Sequence, residues 1–165
     1  MRKDHNQNTS TNSEEMPDAP LMIGIRVHSV EEAIHFYQGI GFKKHMSIPD
    51  EHGKLLMCIL SYGSSVIEVG ILEGLPNPDT ERERNVKKGP RGLGVKIGLA
   101  VPDLDAIYEF FKERNCVITT EPMDEFWGDR LFTAIDPFDY EWQITQTVKE
   151  MTSYEQVEAG KKAWF

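Results

Sequence analysis

The spacing of apolar residues along the chain switches between a strand-like and a helix-like period. Residues 21–27 form a short apolar run that predicts a strand. The segment that follows predicts an amphipathic helix, which Ser29 caps and the glycines at 39 and 41 end. The apolar residues of this helix fall at i, i+3, i+4 and i+7: Val30, Ala33, Ile34 and Tyr37.

Three further strand-like runs follow, at 42–48, 54–61 and 64–72, and the short turns between them predict an antiparallel meander. A shift of 74 positions then repeats the whole pattern. It superposes the strand Gly24–Val27 on Gly98–Val101 and the cap Ser29 on Asp103. The apolar helix residues move onto Leu104, Ile107, Tyr108 and Phe111, and strands are again expected at 116–120, 130–135 and 140–147.

This repeat predicts the fold class. We expect an α+β protein in which two βαβββ modules form a concave, partly open sheet. The predicted organisation is a flexible polar tail at 1–20, a first module at 21–72, an inter-module loop at 73–92, a second module at 93–148 and an amphipathic helix at 149–165. The C-terminal helix is expected to begin with a capping pair formed by Ser153 and Gln156 and to group Tyr154, Val157, Lys161 and Trp164 on one face. The terminal residues Trp164 and Phe165 suggest that it docks on its own domain or on a partner subunit.

Composition excludes several classes of partner. The 165 residues carry a net charge of −9, which disfavours binding to nucleic acids or to anionic membranes. No apolar run approaches the roughly 20 residues that span a bilayer, and the polar N-terminus lacks the features of a signal peptide. We therefore expect a cytoplasmic protein. The two cysteines, Cys58 and Cys116, are expected to be buried free thiols.

Strand alternation assigns the residues of each sheet to two faces. One face is apolar and is expected to pack against the helix of the module. The opposite face mixes small or apolar residues with single polar groups, a composition typical of a small-molecule cavity. Its polar members are Arg26, Glu68, Lys96 and Gln143, with Met22 and Met57 among the apolar ones.

Two segments carry a family resemblance. The helix end at 35–43 and, above all, the segment 126–142 resemble the vicinal oxygen chelate superfamily of glyoxalase I, extradiol dioxygenases and bleomycin-resistance proteins. Phe126–Arg130 followed by Asp136–Phe138 and Trp142 is similar to its PhnB-like branch. The resemblance covers roughly 21–163 and implies paired modules around a concave sheet, often completed by a homodimer.

The resemblance also places the family's metal ligands. Its metal enzymes use four histidine, glutamate or glutamine ligands on the first and last strands of each module, and the matching residues here are Met22, Glu68, Lys96 and Gln143. A lysine ammonium repels a divalent cation, and a methionine thioether is too soft for Mg²⁺ or Mn²⁺. We therefore expect no metal and no other cofactor.

The remaining polar residues leave alternatives open. Glu68 and Lys96 form an acid–base pair, separate ligand anchors or a structural ion pair. Trp127 lies over a ligand or anchors its own loop, and Arg130 points into the same space or pairs on the surface.

Our first hypothesis is a metal-free protein that binds a small molecule between its modules, for sequestration, resistance or sensing. The alternative is an enzyme of the same superfamily, a lyase, isomerase or dioxygenase with or without a divalent metal, in which Glu68 is the catalytic base. A third possibility is a protein-interaction module. The expected ligand contacts are Met22, Arg26, Met57, Glu68, Lys96, Trp127, Arg130 and Gln143, and the expected assembly is a homodimer.

Overall fold

The computed structural model describes residues 17–72 and 80–164 of the chain. The chain divides into two compact units, with the boundary between Ile71 and Leu72. Each unit contains a four-stranded sheet and a helix that packs on it. The predicted α+β class and the two βαβββ modules are confirmed.

The first module begins with a strand whose neighbour in the sheet is the last strand of the module. Strand order is β1-β4-β3-β2, with β1 parallel to β4 and the other pairs antiparallel. The elements are β1 (Met22–Val27), α1 (Val30–Gly39), β2 (Lys43–Pro49), β3 (Leu55–Tyr62) and β4 (Ser65–Ile71).

The second module repeats this topology. Its strand order is β5-β8-β7-β6, again with one parallel pair between the first and last strands. The elements of the second unit are α2 (Glu81–Lys88), β5 (Lys96–Ala100), α3 (Leu104–Glu113), β6 (Val117–Asp124), β7 (Asp129–Ile135), β8 (Glu141–Thr147) and α4 (Ser153–Trp164).

The two equivalent helices begin as predicted. The side chains of Ser29 and Asp103 accept hydrogen bonds from the backbone N–H groups of Glu32 and Ala106. In α1 the predicted apolar residues are buried, and the Tyr37 ring packs on Phe42. In the second module Phe111 of α3 packs edge-on against Phe132 of β7. In each module, the helix therefore covers one face of the sheet.

The predicted inter-module loop contains a helix. Residues 73–79 lie outside the described residues, but α2 occupies Glu81–Lys88. Thr80 and Glu83 form a capping box, acidic residues occupy the first turn and lysines the last. These local charges stabilise a short exposed helix that has no buried residue. Because the helix lacks an apolar stripe, its sequence does not show the helical period.

The end of the predicted loop belongs to the second module. The side chain of Arg91 is buried, and its guanidinium donates hydrogen bonds to the backbone carbonyl of Phe138 and to the carboxylate of Asp139 at 3.2 and 2.8 Å. A Cβ atom on Gly92 would touch the Tyr140 ring. The module therefore starts before residue 93, because these contacts hold Arg91 and Gly92 against the turn between β7 and β8.

The described chain ends in a helix where one was predicted, but its cap differs from the prediction. The capping pair is Thr152 and Glu155, one residue earlier than expected. Tyr154 and Val157 are exposed, and the helix contacts the β6–β7 turn through Gln156 and Gly160 instead. Small residues allow the close approach, which an apolar pattern does not reveal. The side chains of Trp164 and Phe165 lie outside the described residues, as does the predicted tail up to residue 16.

Both cysteines are free thiols, Cys58 buried and Cys116 half-buried. Desolvation raises the pKa of each to about 11. Among the described residues, no helix has both the length and the apolarity to cross a membrane.

A substitution at Gly128, in the turn between β6 and β7, tests whether the segment that leads to α4 packs against this turn. Its φ of +99° and the overlap of a Cβ atom with the Lys149 carbonyl oxygen both oppose a side chain. We expect Gly128→Ala to lower the free energy of unfolding by about 2 kcal/mol or more in urea denaturation. Gly98→Ala is the control, because no atom lies within 4 Å of its Cβ position. Equal, small effects of the two substitutions would contradict this packing.

Asp136, in the turn between β7 and β8, tests the buried network of the second module. It is 4% exposed, and it accepts hydrogen bonds from the backbone N–H groups of Phe138 and Tyr140 and from Nε1 of Trp142. We expect Asp136→Ala to destabilise the protein by about 2–4 kcal/mol, because the buried indole N–H loses its acceptor.

The matched control is Asp50→Ala. Asp50 accepts the equivalent two backbone hydrogen bonds, from His52 and Lys54, but in an exposed turn. Urea denaturation of both variants should show a loss at Asp50 of about 1 kcal/mol or less. A loss at Asp50 as large as that at Asp136 would show that burial and the Trp142 contact add nothing.

Candidate functional site

Each sheet has a face turned away from its own helix, which we call the distal face. Strand register defines its members, since paired residues project to the same side. In the first sheet these include Met22 and Arg26 on β1, Glu68 on β4, Met57 on β3, and Met46 and Ile48 on β2. All four predicted site residues of the first module therefore lie on one face: Met22, Arg26, Met57 and Glu68.

An ion pair crosses the distal face of the first sheet. Glu68 lies opposite Gly24, and Arg26, two residues further along β1, reaches back so that Nη1 is 3.7 Å from Oε1 of Glu68. The two side chains are 33% and 27% exposed, so solvent reaches both groups. The pair thus places a positive and a negative group side by side at a partly exposed position.

Sequence reasoning missed a second polar pair on this face. Nε2 of His45 lies 2.7 Å from Oγ of Ser61, and Ser61 is only 4% exposed. A register shift between Lys44 and Met46 makes His45 an extra residue in β2, which strand alternation alone does not assign to this face. A strand pattern cannot show a bulge, so the sequence held no clear signal for this contact.

The second sheet carries its own ion pair. Nζ of Lys96 lies 3.3 Å from Oε1 of Glu141, the residue opposite it in the β5–β8 pair. Gln143 lies opposite Gly98 on the same face, and opposite Thr133 of β7. Within its own sheet, Lys96 thus pairs with Glu141, as Glu68 pairs with Arg26 in the first sheet.

Trp127 anchors its own loop, one of the two roles that the sequence left open. Its indole N–H donates a hydrogen bond to Asp129 at 3.0 Å, and its ring meets Phe126 edge-on. Its backbone carbonyl accepts a hydrogen bond from Gln156 of α4 at 3.1 Å. Asp129 also accepts from the hydroxyl of Thr147, so this loop is tied to the end of β8.

Arg130 pairs on the surface on the helix side of the second sheet. It lies 3.0 Å from Asp124 of β6 and 3.7 Å from Asp105 of α3. Phe132, two residues further along β7, packs against α3, which places both side chains on the same side. Arg130 is therefore not on the distal face, and we leave it out of the candidate site. These acidic partners raise its pKa further above the ordinary value.

The residues at the family's metal positions do not fit a metal ion. Glu68 has a guanidinium against its carboxylate, and Lys96 carries a positive charge in place of a donor atom. Met22 offers only a thioether, which hard cations avoid. Within 17–72 and 80–164, no three His, Cys, Asp or Glu side chains are grouped to hold a metal ion.

Comparison with curated proteins finds three significant matches. They include uncharacterised proteins from Mycobacterium bovis and Mycobacterium tuberculosis, each 35% identical to this chain over 60 residues. The matched segment covers 36% of this chain, 40% of the M. bovis protein and 35% of the M. tuberculosis protein.

Several solved structures share the fold at low sequence identity. A glyoxalase family protein from Bacillus cereus has a TM-score of 0.60 at 16% identity, over 83% of this chain and 99% of that one. TioX from Micromonospora sp. ML1 has a TM-score of 0.59 at 16% identity, over 77% and 97%. A glyoxalase/bleomycin resistance protein/dioxygenase family enzyme from Burkholderia phytofirmans has a TM-score of 0.56 at 16% identity, over 76% and 96%.

A family model matches most of the chain. The matched residues, 20–144, contain both sheets, except the last three residues of β8, and the two helices that pack on them. The repeated βαβββ topology, the fold neighbours and this match agree with one another. The chain belongs to the glyoxalase/bleomycin resistance protein/dioxygenase superfamily.

Proposed function

We propose that this chain binds a small organic molecule without a metal ion, on the distal face of its first sheet, for sequestration, resistance or sensing. The observation that carries the proposal is the Arg26–Glu68 ion pair. It occupies the position at which the superfamily's metal enzymes place a carboxylate ligand. A protein that supplies its own cation at this position has no need of a metal there.

The ion pair suits a neutral ligand with a donor and an acceptor side by side. Glu68 accepts hydrogen bonds and Arg26 donates them, so a primary carboxamide can bond to both. Because the pair has no net charge, a charged ligand gains little Coulomb energy from it. The partial exposure of both side chains leaves them accessible to such a ligand.

The surroundings of the ion pair are apolar. Met22 on β1 is 47% exposed and Met57 on β3 is half-buried, and both lie on the same face. Small-molecule sites combine a mainly apolar lining with a few polar groups that orient the ligand. Methionine adapts its shape to the ligand because its side chain is flexible and polarisable.

The enzymatic alternative has less support. A base role for Glu68 requires a substrate proton within hydrogen-bond reach of its carboxylate, and that carboxylate already has the Arg26 guanidinium as a neighbour at 3.7 Å. A metal-dependent reaction requires donor atoms that Met22 and Lys96 do not provide. Binding without turnover is therefore the function that these residues favour.

Three finer assignments accompany the proposal. We place the chain in the PhnB-like branch on the segment 126–142, in which Asp136 bonds to Trp142 and Trp127 bonds to Asp129. The cytoplasmic location and the homodimer that the resemblance implies stay predictions.

Metal uptake tests the role of Arg26. We expect purified protein, dialysed against Ni²⁺, Zn²⁺, Mn²⁺ or Fe²⁺, to retain none of them at stoichiometric levels in elemental analysis. Arg26→Gln should raise Ni²⁺ uptake, because the charge of Glu68 is then uncompensated. Lys54→Gln changes the net charge equally in an exposed turn and should have no such effect. One metal ion per wild-type chain would overturn the metal-free proposal.

Ligand-induced stabilisation tests the role of Glu68. A set of neutral primary carboxamides is screened by thermal shift, and a bound ligand adds roughly 2.7 kcal/mol of stability at 100 times its Kd. We expect Glu68→Gln to weaken binding about tenfold or more, since the ion pair and the acceptor are both altered. Glu109→Gln is the control, because Glu109 pairs with Lys112 on an exposed helix surface. Equal binding by the wild type and Glu68→Gln would count against this site.

A further inference from the structure

His45 projects onto the distal face of the first sheet because of an irregularity in β2. Lys44 pairs with Leu60 and Met46 pairs with Ile59, so His45 is one residue more than the ladder needs. Such a bulge re-aims a side chain that strict alternation would send to the opposite face. The imidazole reaches Ser61 on β3, with 2.7 Å between Nε2 and Oγ.

The Ser61 contact fixes the plane of the imidazole ring. Ser61 is 4% exposed, so the hydrogen bond is shielded from competing water on its serine side. His45 itself is half-buried. The result is a flat, oriented ring at one side of the distal face.

Three methionines lie on the same face. Met46 follows His45 on β2 and is 41% exposed, Met57 lies on β3, and Met22 lies on β1. Thioether sulfur makes favourable contacts with aromatic rings, which saturated groups do not receive. These side chains, together with the imidazole, prefer a flat conjugated group to a purely aliphatic one.

The spacing of the strands gives the distance between Glu68 and His45 that such a group must span. Glu68 lies on β4 and His45 on β2, two strands apart in the sheet. At about 4.8 Å for each strand spacing, the separation is about 10 Å. A system of two rings with a hydrogen-bonding substituent covers that span.

We propose that His45, held by Ser61, is a ligand-stacking residue, and that the site takes a neutral, flat two-ring molecule with a carboxamide-like edge. The edge bonds to Arg26 and Glu68, while the rings contact His45, Met46 and Met57. This inference rests on the proposed function, whose polar anchor it extends across the sheet. It adds a residue that neither the family positions nor the strand pattern indicates.

A matched pair of probes tests the preference for a flat ring. Naphthalene-2-carboxamide and its fully saturated decahydro analogue carry the same edge and differ in aromaticity. By isothermal titration calorimetry of the full chain, we expect the aromatic probe to bind about 2- to 10-fold more tightly. Equal affinities would overturn the inference and leave the carboxamide site intact. If neither these probes nor any carboxamide binds, the proposed function itself fails.

Substitutions at His45 separate stacking from apolar contact. His45→Phe keeps a flat ring and should weaken the binding of naphthalene-2-carboxamide no more than the loss of the Ser61 contact does, about 2- to 5-fold, whereas His45→Leu should lose the aromatic preference altogether. Both variants remove the bond to Ser61, so any general effect on folding is common to them. Equal losses in the two variants would contradict stacking. Affinity that falls as protein concentration rises would mean that a second copy covers this face, which also contradicts the proposal.

Ser61→Ala tests the positioning role. We expect the ¹⁵N chemical shift of Nε2 of His45 to change and the aromatic probe to bind about 2- to 5-fold more weakly. The affinity of the saturated probe should stay the same, since it does not need an oriented ring. An unchanged Nε2 signal, or equal losses for both probes, would show that Ser61 does not orient the imidazole.

Discussion

The ion pair between Arg26 and Glu68 is the interaction on which this account of the protein depends. In the metal enzymes of the superfamily, a carboxylate at this strand position faces a divalent cation. Here the neighbouring strand of the same module supplies a guanidinium at 3.7 Å. A fixed organic cation has no open coordination position, so on the proposed function Arg26 orients a ligand and does not activate it as a Lewis acid would.

The two modules share a topology and differ in the chemistry of their distal faces. The first sheet presents methionines around one ion pair and one imidazole. The second presents the Lys96–Glu141 pair together with Gln143, Thr133 and Thr145. The duplicated fold thus repeats the packing of a helix on each sheet, while the residues on the distal faces of the two sheets differ.

The fold was predictable from the sequence because its signals are local and repeated. Ser29 and Asp103 cap equivalent helices, and the strand alternation placed Met22, Arg26 and Glu68 on one face, as the structure confirms. The partners of those residues were not predictable, because Arg26 reaches Glu68 diagonally and Lys96 reaches Glu141 directly across a strand pair. His45 was missed because a bulge breaks the period, and α2 because charges rather than apolar residues stabilise it.

The claim that Arg26 replaces a metal at Glu68 is tested most directly by anomalous diffraction from crystals soaked in Ni²⁺ or Mn²⁺. The account predicts no anomalous peak within coordination distance of the Glu68 carboxylate and a guanidinium still paired with it. A peak bonded to Glu68, with Arg26 turned away, would contradict it.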